Sequence, residues 1–297
     1  MKTLAFIVLF ANLLFSFDFD LKPVKLKDNS YYFYGKEEYY SKQNGGDISN
    51  SAFIITKNSV ILIDTGSSQM YGEQVKKAIK KITNKPIKYI INTHHHPDHF
   101  LGNSAFKEVD IYATTDTSEE ISTNGKLYIK NMYMQLGTIE KGTSVKTPNK
   151  ILRKKTLILD GYPLEISYLH GHTKSDLVIY DKNTNILYSS DLVFNHRALA
   201  TPHANLKEWI NSLKKLEKID YDICVPGHGV AFNDKKPIEQ NIKYLQTLEK
   251  NLNYGLENGL DTFEILELEV PKDIKGFSMF EEEYERSIVN LYNELDK

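Results

Sequence analysis

The segment His94-His95-His96-Pro97-Asp98-His99 constrains this chain more than any other, because it sets imidazoles and a carboxylate at metal-ligand spacing within six residues. Nine histidines in 297 residues give a chance His-x-His-x-Asp-His odds of roughly one in a thousand or less. A plain surface histidine run is therefore the weaker reading. Lys88 to Thr93 reads as a buried strand, so the cluster falls where a strand runs out into a loop. Neutral imidazole and carboxylate are ligands that Zn²⁺ and Fe²⁺ accept. His94 and His96, two apart, can turn toward one ion while Asp98 and His99 reach toward a second.

One loop cannot fill a coordination shell, and the chain offers more donors at strand ends. Leu164 to Leu169 alternates like a half-buried strand and runs into His170-Gly171-His172-Thr173. Ile186 to Ser190 meets Asp191, and Tyr221 to Val225 leads into Pro226-Gly227-His228-Gly229. Glycines beside His172 and His228 permit close backbone approach. Three histidines on one ion with an open fourth position is a catalytic arrangement. A second ion would take an Asp and two His, and a carboxylate between the two could bridge.

These segments, in this order, resemble the metallo-β-lactamase superfamily, the αββα metallohydrolases. The likeness is carried by residues 94–99, by Gly171-His172-Thr173, by Asp191 and by Gly227-His228, with Asp64-Thr65-Gly66 matching after the first long strand. It implies a four-layer αββα sandwich with the ligands on loops at one edge. It also implies two Zn²⁺ ions, one on His94, His96 and His172, the other on Asp98, His99 and His228, with Asp191 bridging. Asp64 is either a structural residue bonding the ligand loop or a plain turn aspartate.

In such proteins two ions roughly 3.5–4 Å apart share a hydroxide that attacks a carbonyl. The resemblance then makes Asp98 the catalytic residue steering its proton, and the substrate an ester, thioester, lactone or amide. Penicillin-degrading members with a cysteine ligand have Cys where this chain has Asp191, so a dedicated β-lactamase is not the leading reading. Thr93 to Phe106, Ser189 to Arg197 and the segment 205–216 are similar to the exported zinc metallohydrolases of quinoprotein relay systems. Two rival readings stay open. One is a persulfide-dioxygenase-like oxidoreductase, which uses one iron on the same ligand set. The other is a non-catalytic periplasmic protein that binds metal or a cofactor.

His196, Arg197 and His203 follow Asp191 on a loop expected to border the cleft. His196 and Arg197 are candidate substrate-binding residues, Arg197 either gripping a substrate carboxylate bidentately or making a surface salt bridge. His95 is expected to face away from the ions, and His170 to be a loop residue.

Lys2 followed by the stretch Leu4 to Phe15, apolar but for Asn12, then Ser16, describes a secretory signal peptide over residues 1–16. Its apolar part is too short for a membrane span, so the mature chain 17–297 is expected to be exported, to a bacterial periplasm, with no integral span. The formal charge of −2 rules against a nucleic-acid surface and leaves a small-molecule substrate. The lone Cys224 cannot form an internal disulfide, so the fold stands on its core. With 41% apolar residues and no linker-like tract, one domain accounts for residues 17–297.

Locally, Phe53 to Thr56 and Val60 to Ile63 predict a hairpin, followed by a helix from Gln69 to Ile82 with Val75, Ile79 and Ile82 inward. A capping box at Thr117 predicts a helix toward Leu136. Asn205 caps another with Leu206, Trp209, Ile210, Leu213 and Leu216 on one face. Pro237 suits the first turn of a further helix, and Phe280 to Leu295 reads as the last. Residues 21–50, rich in Tyr and Phe, read as extra strands whose aromatics either pack in the core or wall a substrate site.

Overall fold

The computed structural model describes residues 17–295. The expected signal peptide, residues 1–16, lies outside them. Two sheets form the centre. In the first, β1 (Val24–Lys27), β2 (Ser30–Phe33), β3 (Ser51–Ile55) and β4 (Val60–Ile63) are antiparallel neighbours; β5 (Ile87–Ile91), β6 (Asp110–Ala113) and β7 (Lys150–Ile151) extend it in parallel. In the second, β8 (Thr156–Leu159), β9 (Tyr162–Leu169), β10 (Asp176–Asp181) and β11 (Ile186–Phe194) run antiparallel, and β12 (Ile223–His228) pairs parallel with β11.

Three apolar clusters turn these sheets into layers. Ile61 and Ile63 of β4 pack between the sheets with Ile166, Ile179 and Tyr188. Their neighbours Val60 and Leu62 face the other way, onto α1 (Gln69–Lys80), α2 (Pro97–Phe100) and α3 (Thr115–Leu136). A strand covered on both faces needs no polar alternation, which is why β4 reads Val-Ile-Leu-Ile and is wholly buried. Outside the second sheet, Leu187 and Val193 pack with α4 (Leu206–Leu216), α5 (Lys236–Asn258), α6 (Thr262–Leu266), α7 (Lys272–Lys275) and α8 (Phe280–Leu295). This is the αββα order.

Helix starts follow local chemistry. Ser68 caps α1 by accepting from the Tyr71 N–H at 3.1 Å, and Asn205 caps α4 by accepting from Glu208. Each cap satisfies one of the orphan donors of a helix's first turn and is worth about 1 kcal/mol. Trp209 of α4 is fully buried and donates its indole N–H to the Leu192 carbonyl at 2.9 Å. Pro237 lies in the first turn of α5, and α8 has the predicted bounds.

Four local expectations need correction. Helix α1 stops at Lys80, leaving Ile82 38% exposed rather than inward. Helix α3 starts three residues before the predicted box: Thr114, next after β6, accepts from the Thr117 N–H, and Thr117 is already inside the helix. Strand content in residues 21–50 ends at Phe33, and the rest is loop. Asp191 does not end a strand but sits within β11, where the register with β12 shifts on either side of Ser190.

Candidate metal centre

Each donor-bearing segment is delivered by a sheet. His94, His96, Asp98 and His99 follow β5, His172 follows β9, and His228 ends β12. Asp191 is turned toward them by the β11 irregularity, where Ser190 adopts φ 48°; a bulge is a common way to re-aim one side chain beside a site. Gly227 makes the approach possible, because a Cβ there would overlap Asp191 Oδ1. Gly171 has φ 138° and lies against the Trp209 backbone, so the loop carrying His172 seats on α4.

The seven predicted donors converge, all at most 8% exposed. His96 Nδ1 is 2.8 Å from His172 Nε2, and His172 Nε2 is 3.3 Å from Asp191 Oδ2. His94 Nε2 lies 3.8 Å from the same oxygen. On the other side, His99 Nε2 is 3.0 Å from Asp191 Oδ1, and His228 Nε2 is 3.3 Å from Oδ2. Both of these nitrogens are 3.6 Å from Asp98 Oδ2.

The outward nitrogens explain why the rings present lone pairs inward. Asp64 Oδ2 accepts from His99 Nδ1 at 2.8 Å, and the Ile48 carbonyl accepts from His228 Nδ1 at 2.7 Å. A proton held on Nδ1 leaves Nε2 as an acceptor. Asp64 also accepts from the Thr93 N–H and hydroxyl at 2.9 and 2.7 Å, so it ties the end of β5 to His99. The structural reading of Asp64 is the correct one.

Lone pairs and two carboxylates facing one another out of water repel unless a cation sits among them. His94 Nε2, His99 Nε2 and Asp191 Oδ1 are buried and lack hydrogen-bond partners among the described residues. Burial, with His99 adding to it, holds the His94 imidazole well below its usual range, and burial does the same to His96. Burial pushes His172 down to about 3. These rings therefore stay neutral and nucleophilic toward a metal. Burial alone would raise the Asp191 carboxyl, but His99 and His228 facing it hold it well below the carboxylate range. Nitrogen and carboxylate donors in groups of three and four fit zinc-type ions. His94, His96, His172 and Asp191 could hold one, and Asp98, His99 and His228 another.

A cavity of about 470 Å³ opens on these donors, lined by His96, Asp98, Asp191 and His228. Its wall also includes Tyr39 and Tyr40, Leu127, Tyr128 and Met132 of α3, and Glu283 and Arg286 of α8. The aromatics of residues 21–50 thus divide: Tyr32 and Phe33 are core, whereas Tyr39 and Tyr40 line the cavity. The Tyr40 hydroxyl lies against Asp98; burial first, then that carboxylate, keeps the phenol well above its usual range.

Of the two candidate substrate residues, Arg197 reaches the cavity and His196 does not. His196 is exposed and is not among the cavity-lining residues; its carbonyl accepts from the Ser278 N–H. Arg197 borders the cavity but is 2% exposed, and its Nη2 pairs with Glu283 Oε1 at 3.3 Å. It clamps α8 to the loop after β11 rather than making a surface bridge. His95 is buried beside Tyr128 at a ring separation of 6.1 Å, and His170 bonds within its loop to Lys174.

Sequence reasoning missed a strap. Ser49 donates to the Asp98 carbonyl at 2.8 Å, and Asn50 donates its side-chain amide to the Pro226 and Gly229 carbonyls. Residues 48–50 thus fasten the Asp98 and His228 loops together. The adjacent polar residues Ser49-Asn50-Ser51 were the available signal.

Residues 44–228 match the metallo-beta-lactamase superfamily. The chain belongs to that superfamily. Among curated relatives of this metallo-beta-lactamase-superfamily chain, a linear primary-alkylsulfatase from a Pseudomonas species is 23% identical over 267 residues, covering 76% of this chain. The chain spans about half of that protein, 51% of its length. Metallo-beta-lactamase IND-1 of Chryseobacterium indologenes is 26% identical over 71% of this chain and 82% of its own length. Among solved structures, a metallo-beta-lactamase from Pontibacter korlensis superposes with a TM-score of 0.63 at 23% identity, covering 76% of this chain and 99% of that one. The likeness extends to the fold.

Proposed function

We propose that this chain is a two-zinc hydrolase that cleaves an ester-, thioester-, lactone- or amide-type bond in a small molecule. One ion would be held by His94, His96 and His172 and the second by Asp98, His99 and His228, with Asp191 placed to serve both. The observation that carries this reading is the position of Asp191, whose two oxygens lie 3.0–3.3 Å from His99, His172 and His228 at once. A carboxylate so placed serves both donor groups.

Zinc bound there supplies Lewis acidity and the acidification of water needed for a hydrolytic nucleophile near neutral pH. The protein supplies the rest. Asp98 faces both His99 and His228 and is the side chain placed to take up and pass on a proton. Tyr40 packs against it and limits its motion. Asp64 and the Ile48 carbonyl fix which nitrogen His99 and His228 turn inward, as outer partners of metal ligands do. The cavity is of small-molecule size, and Leu127, Tyr128 and Met132 of α3 give a substrate apolar surface beside polar groups such as Asn124 and Asn131.

The names of the relatives, an alkylsulfatase and a metallo-beta-lactamase, support hydrolysis as the reaction class. Asp191, where cysteine-ligand β-lactamases have Cys, argues against a β-lactam as the main substrate. Within the superfamily we place the chain beside the exported metallohydrolases of quinoprotein relay systems. We also propose export to a bacterial periplasm, on the strength of the apolar stretch Leu4 to Phe15. Among the described residues no helix is long and apolar enough to cross a membrane.

The test is metal content by elemental mass spectrometry on protein purified without chelators, followed by thioester, lactone and β-lactam panels. Two zinc per chain with turnover on an acyl substrate is the expected result. One iron per chain with oxygen uptake on sulfur substrates would overturn it in favour of dioxygenation. Two zinc without turnover on any acyl panel would leave a binding protein.

A further inference from the structure

A second group of donors stands on the outer side of His96, at the cavity rim. His95, His96 and His203 each present a donor atom within 4.8 Å of the others. The His95 and His203 rings are 5.2 Å apart, and His203 is exposed. Glu120 of α3 lies within electrostatic reach of both. Its Oε1 accepts from Asn124 Nδ2 at 2.6 Å and from the Tyr128 hydroxyl at 3.0 Å, which holds the carboxylate in place at the same rim. The cavity beside the metal centre and a neighbouring cleft both include Glu120, the first with His203 and the second with His95.

His203 is also tied inward. His96 Nε2 and His203 Nδ1 are 2.8 Å apart. When His96 turns Nδ1 to the inner centre as a ligand, its proton must sit on Nε2 and be donated to His203 Nδ1. A neutral His203 then carries its own proton on Nε2, so neither of its nitrogens has a lone pair to spare. His203 can bind a cation only by letting go of His96.

We infer that His95, His203 and Glu120 form a third cation site, for a borderline divalent ion such as Zn²⁺, whose filling withdraws His203 from His96. Two imidazoles and a carboxylate are a fitting donor set for such an ion, and the rim position gives it entry from solvent. The ion trades the His96–His203 hydrogen bond for metal–nitrogen bonds, so the inner ligand loses its outer partner. Added zinc therefore inhibits the enzyme and loosens the inner ion. The coupling to His96 rests on the two-zinc reading above; the rim site itself does not.

The experiment is equilibrium dialysis of the purified holoprotein against increasing Zn²⁺, counting bound zinc by elemental mass spectrometry, with wild type, H95Q, H203Q and the double variant. Wild type is expected to take one equivalent beyond its tight zinc, with half-saturation weakened at least about tenfold in either single variant. Turnover is expected to fall as that equivalent fills in wild type, and this zinc inhibition to vanish in the double variant. No further equivalent below about 100 µM Zn²⁺, or an equal one in the double variant, would overturn the site. Absence of the tight zinc would overturn the hydrolase reading instead, and the histidine dependence of any weaker equivalent would still decide this one.

Discussion

Asp64, whose own backbone is left-handed at φ 57°, accepts a hydrogen bond from His99 Nδ1 at 2.8 Å. Aspartate tolerates that conformation better than most side chains, and such outliers gather at functional sites. The bond selects the His99 tautomer that offers Nε2 to the centre. In D64N an amide replaces the acceptor that fixes this tautomer. On the two-zinc proposal, the variant is expected to hold the ion on His99 about 10–100-fold more weakly. Competition with a chromophoric chelator measures this, and unchanged retention of both ions would count against the role.

Asp98 stands between two histidines yet carries the proton in the proposed reaction. D98A is expected to abolish acyl hydrolysis while its far-ultraviolet circular dichroism matches wild type. Turnover at the wild-type rate would remove Asp98 from the chemistry.

Arg197 and Glu283 form an ion pair with side chains 3% and 2% exposed, joining the loop after β11 to α8. Removing one partner of such a pair strands a buried charge and costs about 3–5 kcal/mol. E283A and R197A are each expected to lower stability on that order in urea unfolding. The double variant R197M/E283L should lose less than either single change, because no charge is left buried alone. Additive losses would show that the two residues are not coupled.

Glu140 is 2% exposed, and neither of its oxygens makes a well-formed hydrogen bond among the described residues. Burial pushes its carboxyl up to about 7 from an ordinary 4.5. The folded state therefore binds more protons than the unfolded state between those values, and Glu140 erodes stability as pH rises through that window. Below 4.5 the penalty is absent; above about 7 it is complete, at up to about 3 kcal/mol. E140Q should be more stable than wild type at pH 8, with the difference shrinking toward pH 4.5. A difference independent of pH in thermal or urea unfolding would contradict this.

The candidate donors were legible in the sequence because each motif is local: a histidine beside a glycine or just past an apolar strand, or, for Asp191, an aspartate within one. Strand spacing then brings those ends to one edge of a layered fold. The core helices were legible for the same reason, since a 3.6-residue apolar period and a capping residue lie within one element, as with Asn205 and Trp209. Contacts between segments distant in the chain were not legible in this way. Arg197 reads as a surface cation until α8 brings Glu283 to it from 86 residues away. His203 meets His96 across 107 residues, and residues 48–50 reach the Asp98 and His228 loops across 49 and 180. Nothing in the local periodicity encodes such pairings. They are set by how two sheets and their outer helices stack, and burial then makes each unpaired polar group costly enough to demand its partner.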